Sequence, residues 1–413
     1  MSVFDASLVT SSQQVSAALL AVFQSLVTPS RYSKLAKSMT WVCAGFLLAA
    51  CARDPLPVPW RQWPDGSTDR VLIDASSDCS GCLVLTTKAT LGAEPSEGVL
   101  EDKGALEYVV QDSAGRYWVG QRGAAKVFSP SGKYLRTVGA RGQGPFEFEF
   151  AQPVAVDEAG MIRLLDPRLG RETVVRADFS FFSDGPMPVG FGDVARLPGN
   201  GSRYVLAKWI ATPERVGFPL HIVSGLDIER SFGVSPSVDT SVMTPSDAER
   251  VLAVTADGYV WSATLDRYII EAWDTTGRRI VGFELPRLNE GTVRPGAWSW
   301  ENPPPNHLGA VAPFDDRFLL VITRHRKANW KDLVIERVSP DGVPYLSAKD
   351  GQVPSLYRSR LDLLDLDRAT VVASTWYDGW LMRFVAPQSV VQLTYSKDGW
   401  PVLRVLGIAY RQQ

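Results

Sequence analysis

The chain has 413 residues, of which 45% are hydrophobic, 10% aromatic and 21% charged, and its formal net charge is -2. Its 34 glycines and 28 prolines make it rich in turns without reaching the level of a disordered chain. This balance excludes collagen, coiled coils, small disulfide scaffolds and polytopic membrane proteins, and the lack of a basic excess argues against nucleic acid binding. The composition leaves a large globular body.

The first 50 residues predict an export signal and not a part of the fold. Residues 41–50 read WVCAGFLLAA, an unbroken apolar run, and Arg31, Lys34 and Lys37 precede it. A basic stretch followed by a short apolar run is typical of a secretory signal. The run is too short to cross a bilayer, which takes about 20 residues. We therefore assign 1–50 to a leader and lipoprotein signal peptide.

The end of this signal resembles the lipobox of bacterial lipoproteins. Residues 48–51, LAAC, carry the resemblance. It implies that Cys51 receives acyl chains such as palmitate and becomes the mature N-terminus, anchored in a membrane. By the sorting rule of such lipoproteins, Ala52 after the cysteine favours the outer membrane, facing the periplasm or the outside. The alternative is a plain signal peptide in which Cys51 is incidental.

The residues after Cys51 predict a tether and a small disulfide. Segment 51–70 is proline-rich and aperiodic, and a flexible chain of this length spans about 25 Å. Cys79 and Cys82 are then the only remaining pair, and an oxidising compartment favours a disulfide between them. A thioredoxin-like redox role and a metal site are the alternatives. Neither fits as well, because a strand pattern follows Cys82 and two cysteines make a poor zinc site.

The body of the chain, 71–413, repeats one pattern six times. A polar turn precedes a short apolar strand, and a second apolar run follows after a variable loop. The turns lie at Asp112, Asp157, Asn200, Asp257, Asp316 and Asp367, at intervals of 43 to 59 residues. We count 333–342 and 382–389 among the second runs of the last two repeats. Such hairpin units, with about four strands per repeat, are typical of a β-propeller.

We therefore predict an all-β fold, a six-bladed β-propeller closed by an N-terminal strand. Residues 83–90 form an apolar strand ahead of the first repeat. We expect this strand to join the last blade, with Cys79 and Cys82 bracing its start. Closure is required because a single blade cannot bury both of its faces.

Part of the body resembles known propeller families. Residues 136–178 resemble an NHL repeat, although the usual V-A-D of that repeat is Leu164-Leu165-Asp166 here. The CSGC motif, followed by a strand and a G-x-G-P-x-E-F stretch, resembles a family of six-bladed propeller lipoproteins from environmental bacteria. That stretch consists of Gly142, Gly144, Pro145, Glu147 and Phe148. The family is largely of unassigned function, so the resemblance implies architecture and location in the cell envelope.

The loops after the second strand of each blade are expected to gather on one face. These loops are 121–126, 166–172, 208–215, 264–267, 324–332 and 376–380, which together hold eleven basic and six acidic residues. Arginine binds carboxylates and phosphates, and flat aromatic rings bind sugars and apolar rings. The candidate ligand residues are Arg122, Arg168, Lys208, Trp209, Arg267, Arg324, His325, Arg326, Trp376 and Tyr377. A solvated basic rim with structural tryptophans is the alternative interpretation.

A calcium-dependent, lactonase-like hydrolase with a site in the central channel is the competing hypothesis. Asp166 and Asp266 would then be ligands, because calcium requires several oxygen ligands from different blades. The alternative for both residues is an ion pair with Arg168 or Arg267. His221, His307 and His325 are the only histidines, and their spacing does not suit zinc or copper.

The preferred hypothesis is a lipid-anchored, extracytoplasmic binding module without catalytic residues or a cofactor. Its expected partners are the membrane, through the lipid anchor, and an envelope protein, a glycan or a small anionic ligand. Nucleic acid is not an expected partner, because of the compartment.

Overall fold

The computed structural model describes most of the chain after the tether. The described residues are 70–72, 79, 81–94, 96–101, 106, 108–188, 190, 192–199, 201–210, 212, 214–233, 249–265, 267–285, 298–349 and 352–411. All of them belong to one compact unit, Asp65–Gln413. The predicted leader, Cys51, Asp266 and all of the predicted tether except Arg70 lie outside the described residues.

The described residues form β-strands and two short 3-10 turns, Trp330–Leu333 and Val353–Leu356, with no α-helix among them. The predicted all-β class is therefore confirmed. No helix in this part of the chain has the length and hydropathy that crossing a membrane requires.

We divide the strands into six groups of four, A to F, in chain order. β1 (Arg70–Leu72) and β2 (Leu83–Leu91) come first; group A is β3 (Val109–Gln111), β4 (Tyr117–Arg122), β5 (Ala125–Phe128) and β6 (Tyr134–Val138). After β7 (Ala140–Arg141) and β8 (Glu147–Phe148), group B is β9 (Phe150–Val156), β10 (Ile162–Asp166), β11 (Arg171–Val175) and β12 (Phe181–Pro186). Group C is β13 (Asp193–Arg196), β14 (Arg203–Ala207), β15 (Leu220–Ser224) and β16 (Asp227–Phe232).

The second half of the chain holds the remaining groups. Group D is β17 (Arg250–Val254), β18 (Val260–Thr264), β19 (Tyr268–Trp273) and β20 (Arg279–Leu285). Group E is β21 (His307–Pro313) and β22 (Phe318–Arg326), then, after the ribbon β23 (Val334–Val338) and β24 (Pro344–Ala348), β25 (Tyr357–Asp365) and β26 (Thr370–Tyr377). Group F is β27 (Trp380–Ala386), β28 (Ser389–Tyr395) and β29 (Pro401–Tyr410), with β2 as its fourth strand.

Hydrogen bonds do not divide these strands into six separate four-stranded sheets. β4 also pairs with β9, through Gln121–Ala151 and Arg122–Phe150, so groups A and B form one eight-stranded sheet. In group D, β1 adds a fifth strand parallel to β20. Groups C, E and F are four-stranded sheets. The predicted six-bladed propeller is thus matched only at the coarser level of a propeller-like arrangement of antiparallel sheets.

The hydrophobic core lies between successive groups. Six clusters of buried apolar side chains fill these spaces, and each contains residues from two groups. Representative pairs are Trp118 and Ile162 between A and B, Leu165 and Tyr204 between B and C, and Val205 and Trp273 between C and D. The other pairs are Phe283 and Val321 between D and E, Leu361 and Leu406 between E and F, and Leu403 and Val109 between F and A. The apolar side chains of each group therefore pack against those of neighbouring groups, which keeps them out of water. The isolated sheets could not achieve this burial.

The repeated turns owe their sequence signature to local hydrogen bonds. In the turn between β3 and β4, Asp112 Oδ1 accepts the backbone N–H groups of Ala114 and Arg116 at 3.0 and 2.9 Å. Gly115 follows with φ of +77°, a conformation that favours glycine. Asp157 makes the equivalent bonds between β9 and β10. Such turns can be recognised in a sequence because the aspartate organises only its own segment.

Three assignments in the last two repeats were wrong. Asp367 lies between β25 and β26, which are the third and fourth strands of group E, and not between a first and a second strand. Residues 333–342 form most of the inserted β23–β24 ribbon, and 382–389 lie mainly in β27, the first strand of group F. The errors arose because every antiparallel turn uses the same residue types, whatever its place in the sheet.

The N-terminal strand joins the C-terminal one. β2 pairs antiparallel with β29, from Leu83 opposite Tyr410 to Leu91 opposite Leu403. Just before β2, Cys79 and Cys82 form a disulfide with a Cα–Cα distance of 5.6 Å. The loop between them bonds to the outer edge of group E, through Gly81 N–H to Ser374 O at 3.4 Å and Ser374 N–H to Cys79 O at 3.3 Å. The disulfide loop therefore joins groups E and F.

Candidate functional site

The predicted ligand loops lie at one end of the sheets. Since consecutive strands are antiparallel, the loops after β4, β10, β14, β18 and β22 share an end with the connections between groups. We call this end the loop face. The window 376–380 belongs to it as the connection from β26 to β27, although it does not follow a second strand. The opposite end, the turn face, carries the turns between first and second strands and the start of β2.

Asp166 has a structural role that conflicts with metal binding. It is 1% exposed at the end of β10. Its Oδ2 accepts the N–H groups of Glu149 and Phe150 at 2.7 and 3.0 Å, and its Oδ1 accepts those of Arg168 and Leu169 at 3.0 Å. Both oxygens are therefore used in tying the loop after β10 to the connection from group A. The expected side-chain ion pair with Arg168 is not the interaction that holds Asp166.

Two of the candidate arginines are held by backbone carbonyls. Arg324 donates to Leu381 O and Met382 O at 2.9 and 2.8 Å, and so links β22 to the first strand of group F. Arg326 donates to Pro304 O at 2.8 Å, and its guanidinium lies 5.1 Å from the centroid of the Trp330 ring. These contacts account for both residues as structural links on the loop face.

The loops of groups A and B bring two candidate arginines to one ring. The guanidinium carbons of Arg122 and Arg168 lie 5.3 and 4.8 Å from the centroid of Phe150. Arg122 and Arg168 are both exposed. The two cations therefore converge at the A–B end of the loop face.

The other predicted residues are spread around the loop face. Burial lowers the pKa of Lys208, and the neighbouring Trp209 has a buried Nε1 without a hydrogen-bond partner among the described residues. Arg267 is exposed at the end of the loop after β18. Tyr377 donates its hydroxyl to Gln392 Oε1 or accepts from that amide at 2.8 Å, depending on the amide orientation. The structure does not gather these residues into one pocket.

His325 and Trp376 do come together, with a residue that the sequence did not indicate. His325 on β22 lies opposite Arg358 on β25, and the guanidinium of Arg358 stacks 4.0 Å from the centroid of Trp376 on β26. The rings of His325 and Trp376 are 4.8 Å apart, edge to face. We call His325, Arg358 and Trp376 the E-sheet cluster.

The cluster carries a positive potential. Burial first, and then the charges of Arg360 and Arg358, lower the pKa of His325 to about 4, so the imidazole is neutral at pH 7. Arg360 is neutralised by Asp362, at 2.7 Å, whereas Arg358 has no carboxylate partner among the described residues. Trp376 is 47% exposed, so solvent and solutes reach the cluster. Arg358 was missed because an arginine within a strand, here the second residue of β25, has no local signal of function.

A second feature lies on the axis and was also missed. The six first strands line a cavity of about 1240 Å³. Arg383 on β27 donates a hydrogen bond to Asp193 on β13, and these strands belong to groups F and C. The guanidinium of Arg383 also lies 5.0 Å from the centroid of Tyr108. These partners are far apart in sequence, so no motif could have linked them.

No group of three or more histidine, cysteine, aspartate or glutamate side chains suited to a metal occurs in the part of the chain that the structure describes. The second predicted calcium ligand, Asp266, lies outside that part. Asp166, the ligand that is described, already uses both oxygens on backbone N–H groups.

Comparison with known proteins identifies the fold alone. The chain is similar to a protein from Bacteroides fragilis that is provisionally described as exported. The two share 12% identity with a TM-score of 0.51, and the match covers 83% of this chain and 99% of that one. The chain is also similar to a member of the DUF4221 family from Bacteroides vulgatus, with 7% identity, a TM-score of 0.50, and coverage of 80% and 99%. No protein-family model and no curated protein matches the sequence.

Proposed function

We propose that this chain is an exported, lipid-anchored propeller of six blades that binds an anionic ligand and does not convert it. The six-blade arrangement is supported by the order of the first strands. β3, β9, β13, β17, β21 and β27 lie side by side in that order, and β27 in turn neighbours β3. β2, paired with β29, then acts as the closing strand from the N-terminal side.

The proposed location in the cell envelope rests on the signal pattern, the resemblance of residues 48–51 to a lipobox, and the provisional description of a protein with a similar fold as exported. β2 begins at the turn face, so a chain anchored at Cys51 would approach the propeller from that side. The turn face would then lie towards the membrane. The loop face, with its arginines and tryptophans, would point away from it and meet soluble ligands.

The E-sheet cluster is the observation that carries the binding proposal. Stacking on Trp376 holds the Arg358 guanidinium in place, so less side-chain freedom is lost when it binds a carboxylate. His325 stays neutral and adds no charge of its own. An anionic group on Arg358 with a flat ring against Trp376 satisfies both residues. We therefore propose a ligand that combines a carboxylate with a sugar or aromatic ring.

The hydrolase hypothesis has no comparable support. It needs several oxygen atoms free to hold calcium, and both oxygens of Asp166 accept hydrogen bonds from the backbone. The axial cavity has the Arg383–Asp193 ion pair among its lining residues. We do not propose a catalytic role for either feature.

Isothermal titration of the full chain with glucuronate and benzoate, and with glucose and benzamide as neutral analogues, tests the binding proposal. We expect each acid to bind about tenfold more tightly than its neutral analogue or better, because a charged hydrogen bond contributes roughly 1.5 kcal/mol or more. Arg358→Gln should remove this preference. Trp376→Leu should weaken the binding of both acids.

Arg278→Gln is the matched control, because Arg278 is an arginine on the turn face with a 74% exposed side chain. This variant should bind like the wild type. Binding of an anion at the cluster should also raise the pKa of His325, which the imidazole resonances report by NMR. The proposal fails if the acids bind no better than their neutral analogues, or if Arg358→Gln retains the preference.

A further inference from the structure

The E-sheet cluster lies beside a row of polar side chains. Residues two apart in a strand point to the same face of a sheet, so Arg358, Arg360 and Asp362 of β25 share one face. On that face Arg360 lies opposite Thr323 of β22 and opposite Trp376 of β26. The side chains around the stacked guanidinium and indole are therefore polar. A hydrocarbon ring placed there would cover them without offering hydrogen bonds in return.

His325 brings an open polar atom to the cluster. Its ring is 4.8 Å from that of Trp376, and its Nε2 is 2.9 Å from Thr323 Oγ1. Its Nδ1 has no hydrogen-bond partner among the described residues. In the neutral imidazole Nδ1 is a donor or an acceptor, depending on the tautomer. A hydroxyl group both donates and accepts, so it satisfies Nδ1 in either tautomer.

Arg360 supplies further donors on the same face. Its Nε donates to Asp362 Oδ1 at 2.7 Å and its Nη2 donates to Ser374 Oγ at 3.0 Å, so the guanidinium is held in one orientation. Its Nη1 has no partner within the described part of the chain, and 17% of its side chain is exposed. The buried carboxylate of Asp362 offsets its charge. Arg360 can therefore donate to a hydroxyl oxygen without adding net charge to the site.

We propose that the E-sheet cluster selects a sugar acid, a pyranose ring that carries a carboxylate, over an aromatic or alicyclic acid. The carboxylate binds Arg358 and the ring stacks on Trp376 as in the proposed function, on which this inference rests. The ring hydroxyls then form hydrogen bonds with His325 Nδ1 and Arg360 Nη1. A ring without hydroxyls takes both of these atoms out of water and leaves them unpaired, and a site of this kind rejects such a ligand.

Isothermal titration of the full chain with glucuronate, cyclohexanecarboxylate and glucose tests this selectivity. The two acids share a six-membered ring and a carboxylate, and only glucuronate has ring hydroxyls. We expect glucuronate to bind about tenfold more tightly than cyclohexanecarboxylate or better, because two hydrogen bonds are lost with the hydroxyls. Glucose reports the preference for charge, which belongs to the proposed function.

Removing the imidazole tests its part in the selectivity. His325→Phe keeps a ring against Trp376 and should reduce the ratio between the two acids to about threefold or less, while cyclohexanecarboxylate binding persists. Because this change leaves the buried Thr323 hydroxyl without a partner, a second variant combines it with Thr323→Val. The unfolding temperature shows which variant is folded, and either one suffices. Thr370→Val, at a half-buried position at the other end of β26, is the control and should keep the wild-type ratio.

The possible results separate this inference from the proposed function. If cyclohexanecarboxylate binds as tightly as glucuronate, and both bind better than glucose, the binding proposal stands and the selectivity for a sugar acid is wrong. If neither acid binds better than glucose, both proposals are wrong. A folded variant without His325 that keeps the wild-type ratio also overturns the inference.

Discussion

Replacing His221 with glutamine should reduce the loss of stability that this protein suffers at mildly acidic pH. His221 is fully buried in β15, with Nδ1 2.8 Å from Ser231 Oγ and Nε2 3.0 Å from Lys208 O. A carbonyl only accepts, so Nε2 carries the proton and Nδ1 accepts from the serine hydroxyl. Burial, together with the charges of Arg215 and Lys208, lowers the pKa of His221 to about 4.

The size of the effect follows from the difference between this pKa and the value of 6.5 in the unfolded chain. At pH 8 the residue is neutral in both states. At pH 5.5 it is protonated only in the unfolded state, so unfolding becomes easier, by about 1.4 kcal/mol. The pKa values of His307 and His325, about 3 and about 4, imply similar losses. The three histidines together should therefore cost about 4 kcal/mol between pH 8 and pH 5.5.

Urea denaturation followed by tryptophan fluorescence at both pH values measures this difference. Glutamine can donate to Lys208 O and accept from Ser231 without titrating, so His221→Gln should lower the difference by about 1.4 kcal/mol, one third of the total. A change in the absolute stability of the variant at pH 8 does not affect this comparison. Burial raises the pKa of the Asp362 and Glu249 carboxyl groups, but they are the same in both proteins, so their contribution cancels when the variant is compared with the wild type. An unchanged difference in the variant would refute the reasoning.

Three further predictions concern the ties between sheets. Asp166→Ala should cost about 3 kcal/mol or more of unfolding free energy in urea, because four backbone N–H groups lose their acceptor, and calcium should not restore it. Arg383→Met should lower the free energy of unfolding by about 3 kcal/mol at pH 7, because Asp193 is left as a buried charge without its partner. Acidifying the Arg383 variant should recover part of the loss, and equal losses at pH 7 and pH 5 would argue against that cause. Reduction of the disulfide between Cys79 and Cys82 should cost only about 2 kcal/mol, because the closed loop is short; a double serine variant that unfolds at the same urea concentration with and without reductant is the control.

The fold class was predictable because its signals are local. An aspartate that bonds two backbone N–H groups and a glycine at positive φ define the turn between β3 and β4 within a few residues. The same chemistry also misled the assignment, because Asp367 marks a turn between later strands of its sheet. A turn signature states that two strands are joined, and it does not state which two.

The candidate sites were less predictable because their members depend on register and on distant partners. Arg358 contacts Trp376 because β25 pairs with both β22 and β26. The β23–β24 ribbon, which precedes β25 in the chain, was not predicted from the sequence. The sequence suggested Arg324 as a ligand residue, yet the neighbouring strand supplies carbonyls that engage its guanidinium. The sequence states the chemistry of each side chain, but it does not state which groups that side chain will contact in the folded protein.

The amino-acid sequence by itself determined that this protein is built from short antiparallel strands, with an export-like segment ahead of them. Those features depend on neighbours a few positions away, where the chain itself sets the geometry. Only the tertiary structure decided that Asp166 binds backbone and that Arg383 meets Asp193 across the axis, 190 residues away along the chain. Such contacts form when sheets that cannot bury their own faces pack together, and the packing sets which polar groups are enclosed with one another.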